Sequence, residues 1–345
     1  MLAWKQTMLL SFLHRVASGE SLSPSEAREA MLAILEGEST TTQIGAFLVA
    51  LRMKGETADE LFGFAQAMRE KSVRVSVPAS PGPLLDTCGT GGDGAKTFNI
   101  STIAAFVAAG ADVRVAKHGN RSLAGECGSA DLLEEFGVRL LATPESIACA
   151  IAEVGIGFMF APAFHPAMRH AQPARQELRM RTVFNFLGPL ANPAGASRQL
   201  IGAPSLRAAE LMAGALAALG AEHAFVVHGS DGLDEVTTTG LTEVFEVREG
   251  EVRRFRWHPE DFGVETARPG QIAGGDRGFN RAVAESILKA ERGAQRDIVL
   301  VNAAAALLVA GEAADLKEAF ARAADSLDSG AAQAKLQALA RFNGR

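Results

Sequence analysis

The sequence predicts an α/β protein: a small N-terminal helical domain, then a larger α/β domain whose mostly parallel central sheet is flanked by helices. Three observations carry this. Residues 1 to about 72 show helical periodicity and helix-start signatures but no strand signal. Pro78, Pro81 and Pro83 then break any regular pattern and make a stiff connector. From Leu84 onward short apolar runs alternate with helical stretches, the pattern of βαβ units and parallel strands. The chain therefore divides into a helical domain, residues 1–75, and an α/β domain, residues 76–345.

Three capping boxes mark the helical block: Ser23-Pro24-Ser25-Glu26, Thr40-Thr41-Thr42-Gln43 and Thr57-Ala58-Asp59-Glu60. In each, a hydroxyl is placed to accept an N-terminal amide while Glu or Gln reaches back. Gly37 and Gly55 supply stops. The faces carrying Ile44, Phe47, Leu48, Leu51 and Leu61, Phe64, Met68 read as core or as a subunit interface. In the second block the expected strands are Leu84-Leu85, Val113–Ala116, Phe158–Phe160, Ala224–Val227 and Ile298–Val301. The expected helices include Ser101–Ala109 and Ser129–Phe136. Residues 181–193 read as irregular, and Trp257–Gly275, rich in Pro, Gly and charge, as a long surface excursion.

Composition narrows the function classes. With 345 residues, 48% of them hydrophobic, a sizeable core is assured. A formal net charge of -6 argues against a nucleic-acid partner, because affinity for a polyanion rests on clustered Lys and Arg. The odd set Cys88, Cys127 and Cys149 points to reduced thiols and a cytoplasmic protein. The run Met8–Leu13 behind Lys5 is too short for a signal-sequence core, and Leu211–Leu219 is far too short for a membrane span. No membrane partner is expected.

Chemistry first shows where the short apolar run at Leu84-Leu85, continuing through Asp86-Thr87-Cys88, gives way to a loop, Gly89-Thr90-Gly91-Gly92-Asp93, followed by Thr97, Asn99 and a helix opening Ile100-Ser101-Thr102. Three glycines remove the Cβ atoms that would keep a ligand from the backbone, so amides can converge on an anion. The helix start adds unpaired N–H groups and a favourable dipole. The stretch matches neither the dinucleotide nor the Walker pattern, and taken alone it also fits a plain strand-to-helix turn closed by Asp93 and Asn99.

A second cluster, Lys117-His118-Gly119-Asn120-Arg121, follows the strand expected to end at Ala116. Loops after parallel strands gather along one edge, so this basic pentad should face the glycine loop. Farther on stand His165-Pro166-Ala167-Met168-Arg169 and Arg175. Arginine suits a planar carboxylate, which it holds bidentately; a surface ion pair is the plainer reading of Arg175. Finally, Asp231-Gly232-Leu233-Asp234-Glu235 places adjacent acids after the strand Ala224–Val227. Such a pair suits a hard cation such as Mg²⁺ that also holds phosphate oxygens, and it equally fits a solvated turn.

Together these motifs closely resemble the anthranilate phosphoribosyltransferases of tryptophan biosynthesis, from the helical N-terminus to Asn302-Ala303-Ala304. The most specific elements are Gly89–Asp93 with Asn99–Thr102, Lys117–Arg121 with Gly128-Ser129-Ala130-Asp131, Arg181–Asn185 with Leu187-Gly188-Pro189, and Asp231–Glu235. The resemblance implies transfer of the phosphoribosyl group of phosphoribosyl pyrophosphate to the amine of anthranilate, with Mg²⁺, in a homodimer formed through the helical domain. It also implies that helices from about 167–195 join that domain in space. By this likeness Gly89, Gly92, Asp93, Thr97, Asn99, Ile100, Ser101 and Thr102 hold the donor. Lys117, His118, Gly119, Asn120, Gly125 and Ser129 join them from a mobile loop. Gly89, Asn120, His165 and Arg175 meet anthranilate, and Ser101, Asp234 and Glu235 take Mg²⁺. Lys117, His118 and Arg175 are the implied catalytic set. Lysine takes up charge on the leaving pyrophosphate, and Arg175 places the amine behind the anomeric carbon.

Two other readings stand beside this one. A pyrimidine nucleoside phosphorylase shares the architecture, but its Lys-His-Ser-Thr-Gly-Gly loop is absent. A relative that has lost catalysis and binds nucleic acid is opposed by the intact Asp234-Glu235 and Arg175 and by the net charge of -6. The sequence departs from the family at two places. Ala124-Gly125, followed by Glu126, stands where the family has a pair of serines, and Arg179 stands where it has Gly. The missing hydroxyls predict a weaker grip on the donor. Ala124→Ser combined with Gly125→Ser is expected to lower the Michaelis constant for phosphoribosyl pyrophosphate in steady-state kinetics, and an unchanged constant would contradict this.

Overall fold

The computed structural model describes residues 2–79, 82–91, 97–122 and 127–342, with side chains from residue 8 onward. Pro81, Gly92, Asp93, Ala124, Gly125 and Glu126 therefore lie outside the described residues.

The N-terminal block consists of α1 (Leu2–Ala17), α2 (Pro24–Leu35), α3 (Thr41–Lys54) and α4 (Ala58–Glu70). All three expected capping boxes form. Gly37 and Gly55 follow α2 and α3 at φ 75° and 87°, values that favour glycine. Ile44, Phe47, Leu48, Leu51, Leu61 and Phe64 are at most 1% exposed, so these faces are core within one chain. Glu60 is fully buried and joins three elements, pairing with Lys54 at 3.0 Å and accepting from the amides of Leu22 and Thr57.

The second block runs β1 (Leu84–Gly89), α5 (Ile100–Gly110), β2 (Arg114–Gly119), α6 (Ser129–Glu135), α7 (Pro144–Glu153) and β3 (Ile156–Phe160). It continues with α8 (Ala161–Phe164), α9 (Gln172–Leu178), α10 (Phe184–Leu190), β4 (Arg198–Gly202), α11 (Leu206–Ala218), β5 (His223–Gly229), β6 (Thr242–Arg248) and β7 (Glu251–Trp257). Helices α12 (Arg277–Leu288), α13 (Ala294–Ala310), α14 (Leu316–Asp328) and α15 (Ala331–Arg341) complete it. The strands form one sheet in the order β3-β2-β1-β4-β5-β6-β7. Pairing is parallel from β3 to β5 and antiparallel from β5 to β7.

Strand alternation assigns the two faces. Phe225 and Val227 of β5 join a core with α5, α13, α14 and α15, whereas Ala224 and Val226 join one with α11 and the N-terminal helices. That second core also takes in Ala174 of α9 and Phe184 and Leu187 of α10.

Several expectations change. Ile298–Val301 lies inside α13, because a short apolar run buried on all sides looks the same in a strand or a helix, and the Ala-rich continuation to Ala310 decides for helix. Strands β1 and β2 extend to Gly89 and Gly119, which moves Lys117 and His118 from loop to strand. Residues 184–190 are helical rather than irregular. The excursion Trp257–Gly275 buries Trp257, Phe262 and Ile272 in the core shared with α13 and α14. Strands β4, β6 and β7 were not expected; polar residues interrupt β4, and β7 is an exposed edge.

Arg179 closes α9 in the left-handed region, at φ 45° and ψ 35°. A side chain there is strained, so Arg179→Gly is expected to raise stability by about 0.5–1 kcal/mol after allowing for glycine's greater freedom when unfolded. Urea denaturation checks this, and an equal or lower midpoint would contradict it.

Candidate active site

The chain leaves β1 for β2 on one side and returns through β4 on the other, so the sheet order reverses between β1 and β4. Open parallel sheets bind ligands in the crevice at such a point, outside the carboxyl ends of the strands. Gly89 and Gly202 end these two strands and are register partners. Asp234 lies across both. A Cβ on Gly202 would sit 1.5 Å from the Asp234 carbonyl oxygen, and one on Gly89 would sit 2.5 Å from its Oδ2. Glycine alone permits this approach.

Asp234 Oδ2 accepts from the Gly91 amide at 2.7 Å, and Glu235 Oε1 accepts from the Ser101 amide at 3.1 Å. The twin acids thus meet both the glycine loop and the first turn of α5, as the sequence implied. They are 7% and 8% exposed. Their loop is held from below by Asn302 of α13, whose side chain accepts from the Val236 amide and donates to the Val236 carbonyl. Among the described residues no three His, Cys, Asp or Glu side chains gather. The donor set is two carboxylates reaching the Gly91 and Ser101 backbone, oxygen chemistry that fits a hard cation completing its shell with phosphate and water oxygens.

The other expected donor contacts divide by role. Ile100 and Thr102 are 1% exposed, so they contribute backbone and helix position. Thr97 bridges to Ala273. The Asn99 side chain is already committed, donating to the Cys127 carbonyl and accepting from Asn280. Thr90 Oγ1 is buried and has no hydrogen-bond partner among the described residues.

The basic pentad does not face the glycine loop as a cluster. Lys117 is 2% exposed and its Nζ donates to the Thr87 carbonyl on β1. Burial lowers its pKa, with the charge of Asp86 opposing. Arg121 turns to the acids of α6, 2.8 Å from both Asp131 and Glu134. Asn120 is exposed, and its carbonyl accepts from Ser129 Oγ at 3.1 Å. Gly119 gives Ser129 room, since a Cβ there would lie 2.4 Å from the hydroxyl. The cause is alternation along β2 together with the acidic face of α6. Asp131 and Asp86 were not singled out by sequence reasoning, although Asp131 lies within the quoted Gly128–Asp131 motif.

The His118 and His165 rings lie against each other with centroids 5.1 Å apart and planes tilted by 51°, both 6% exposed. His118 Nδ1 lies 3.1 Å from the Gly188 carbonyl, and His165 approaches the Ala191 carbonyl. Both Nε2 atoms are buried without a partner among the described residues. One turn before Gly188, or about 6 Å along α10, the Phe184 ring lies under the Arg175 guanidinium at 5.4 Å. No carboxylate pairs with Arg175 among the described residues, so it is not a surface ion pair, and burial lowers its pKa.

Burial, assisted by the neighbouring His165, pushes the pKa of His118 down to about 3, and burial pushes that of His165 down to about 4. Both rings are neutral in the folded protein at neutral pH. The unfolded chain binds their protons first, so this pair costs stability as the pH falls from about 6.5 toward their folded values. NMR titration is expected to show neither ring protonating between about pH 5 and 8, and a midpoint near the ordinary histidine value for either would contradict the geometry.

Comparison with known proteins agrees with this architecture. A family model described as glycosyl transferase family, a/b domain, matches residues 81–333, and one described as glycosyl transferase family, helical bundle domain, matches residues 10–72. The anthranilate phosphoribosyltransferase of Solibacter usitatus is 60% identical over 334 residues, covering 97% of this chain and 98% of the relative. The crystal structure of the Thermus thermophilus enzyme superposes with a TM-score of 0.90 at 44% identity, covering 96% of this chain and 98% of that one. The Saccharomyces cerevisiae enzyme in complex with PRPP and Mg gives a TM-score of 0.87 at 29% identity over 96% of each chain, and the same yeast protein is also solved with 4-fluoroanthranilate. With its acids seated on the glycine loop and relatives matched along nearly its whole length, the chain belongs to the anthranilate phosphoribosyltransferase family.

Proposed function

We propose that the protein transfers the phosphoribosyl group of phosphoribosyl pyrophosphate to the amine of anthranilate, releasing pyrophosphate, with Mg²⁺ held by Asp234, Glu235 and Ser101. The observation that carries this is the seating of Asp234 across Gly89 and Gly202 with Glu235 on the Ser101 amide. The yeast complexes with PRPP and Mg and with 4-fluoroanthranilate support the same ligands here.

Loss of pyrophosphate builds positive charge on the ribose and negative charge on the leaving group. Mg²⁺ bound at the acid pair supplies electrostatic uptake of that negative charge. The Gly91 and Ser101 amides are taken by Asp234 and Glu235, so α5 offers the anion its helix dipole rather than free N–H groups, and Lys117 adds a buried positive charge bonded to β1. On the acceptor side, the Phe184 face restricts the Arg175 guanidinium, which then takes the anthranilate carboxylate bidentately. Low local dielectric strengthens that pair and orients the amine toward the anomeric carbon. Neutral His118 and His165 line the approach without adding charge. Attack by a positioned amine requires no covalent enzyme intermediate.

A homodimer through the helical domain accords with an apolar groove along α1, α3 and α9, lined by Leu13, Ala46, Val49 and Leu178 and flanked by the 82% exposed Met53. A cytoplasmic setting accords with three free cysteines.

Fluorescence-monitored consumption of anthranilate with phosphoribosyl pyrophosphate and Mg²⁺ tests the reading. Turnover is expected in the wild type, and Arg175→Ala is expected to raise the KM for anthranilate roughly 10- to 100-fold, as loss of a charged bidentate contact does. A wild type that leaves anthranilate unconsumed would overturn it.

A further inference from the structure

Asp86 of β1 is a fully buried carboxylate to which the mechanism above assigns no task. Its Oδ1 accepts from the His118 amide at 3.1 Å and its Oδ2 from Asn192 Nδ2 at 2.7 Å. Both partners donate at these atoms, which favours the ionised carboxylate; burial raises its pKa, and the Lys117 charge with these two donors opposes that. A buried charge is destabilising unless it is fully bonded, and an apolar residue would fill a central strand more simply.

What the charge holds becomes clear from Asn192. Its Nδ2 also donates to the Ala116 carbonyl and its Oδ1 accepts from the Ala194 amide, which fixes the amide's orientation. Asn192 belongs to residues 188–193, a run whose carbonyls are claimed from several elements. Gly188 takes His118 Nδ1, Pro189 takes Gln199, Leu190 takes Arg69 of α4 and Pro193 takes the Val75 amide. Carbonyls only accept, so the ring nitrogen facing Gly188 must carry the proton. His118 is thereby an Nδ1–H tautomer, with its Nε2 unpartnered among the described residues.

We propose that Asp86 is a positioning residue for the acceptor side of the reaction: through Asn192 and the His118 amide it holds the carbonyl row and β2 in register. His118 then keeps Nδ1–H and presents its Nε2 lone pair. That tautomer follows from geometry alone, and the acceptor side rests on the proposed function.

Asp86→Asn and, from the other end of the bond, Asn192→Ser test this by two readouts. Long-range ¹H–¹⁵N NMR is expected to show Nδ1–H for His118 in the wild type and a loss of that single tautomer in the variants. Steady-state kinetics are expected to show the KM for anthranilate rising about tenfold while the KM for phosphoribosyl pyrophosphate stays within about twofold. A His118 ring that keeps its tautomer in a folded variant, or both Michaelis constants rising together, would overturn the proposal. A wild type that does not consume anthranilate would overturn the functional reading instead, and the His118 tautomer would still decide the role of Asp86.

Discussion

The absence of two Cβ atoms, at Gly89 and Gly202, is the constraint on which the site depends. These residues end adjacent parallel strands in register, and the chain crosses them at Asp234 closer than any side chain would allow. Without that crossing the two acids would stand off the sheet, beyond reach of the Gly91 and Ser101 amides. Asn302, fully buried in α13, holds the crossing from below by bonding both polar groups of Val236. Part of the second layer thus serves to keep two carboxylates at the edge of the first. Their charge is offset by the Gly91 and Ser101 amides they accept from and by the dipole of α5.

The acceptor side is built differently, from carbonyls rather than amides. Residues 188–193 pass between the N-terminal helices and the sheet, and the side chains of Arg69, Gln199 and His118 each bond into that run. Arg175 joins the same element through Phe184, one turn from Gly188. Movement of α4 relative to the sheet would therefore be felt at His118, and through α10 at the guanidinium. Donor and acceptor sides meet at β1 and β2, where Thr87 receives Lys117 and Asp86 receives the His118 amide.

How much of this was legible depends on how local each signal is. The capping boxes read correctly because Ser23, Thr40 and Thr57 bond residues three positions away. The glycine loop and the acids Asp234 and Glu235 each follow a strand of a parallel sheet, and the structure brings Gly91 and Asp234 into contact. Ile298–Val301 misled because its surroundings, not its residues, make it helix. Lys117 and Arg121 misled because a short apolar start concealed how far β2 continues, and because Arg121 answers acids ten and thirteen residues later. Asp86 was passed over since its partners lie 32 and 106 positions along the chain, a separation that no local pattern encodes.

The cation seat proposed at Asp234 and Glu235 ties diphosphate binding to Mg²⁺. Titration calorimetry of phosphoribosyl pyrophosphate against the wild type and Asp234→Asn, each with and without Mg²⁺, tests it most directly. The account predicts Mg²⁺-dependent binding in the wild type and at least about tenfold weaker binding in the variant, the scale of one lost charged contact. Equal affinity in the two proteins, or wild-type binding indifferent to Mg²⁺, would contradict it.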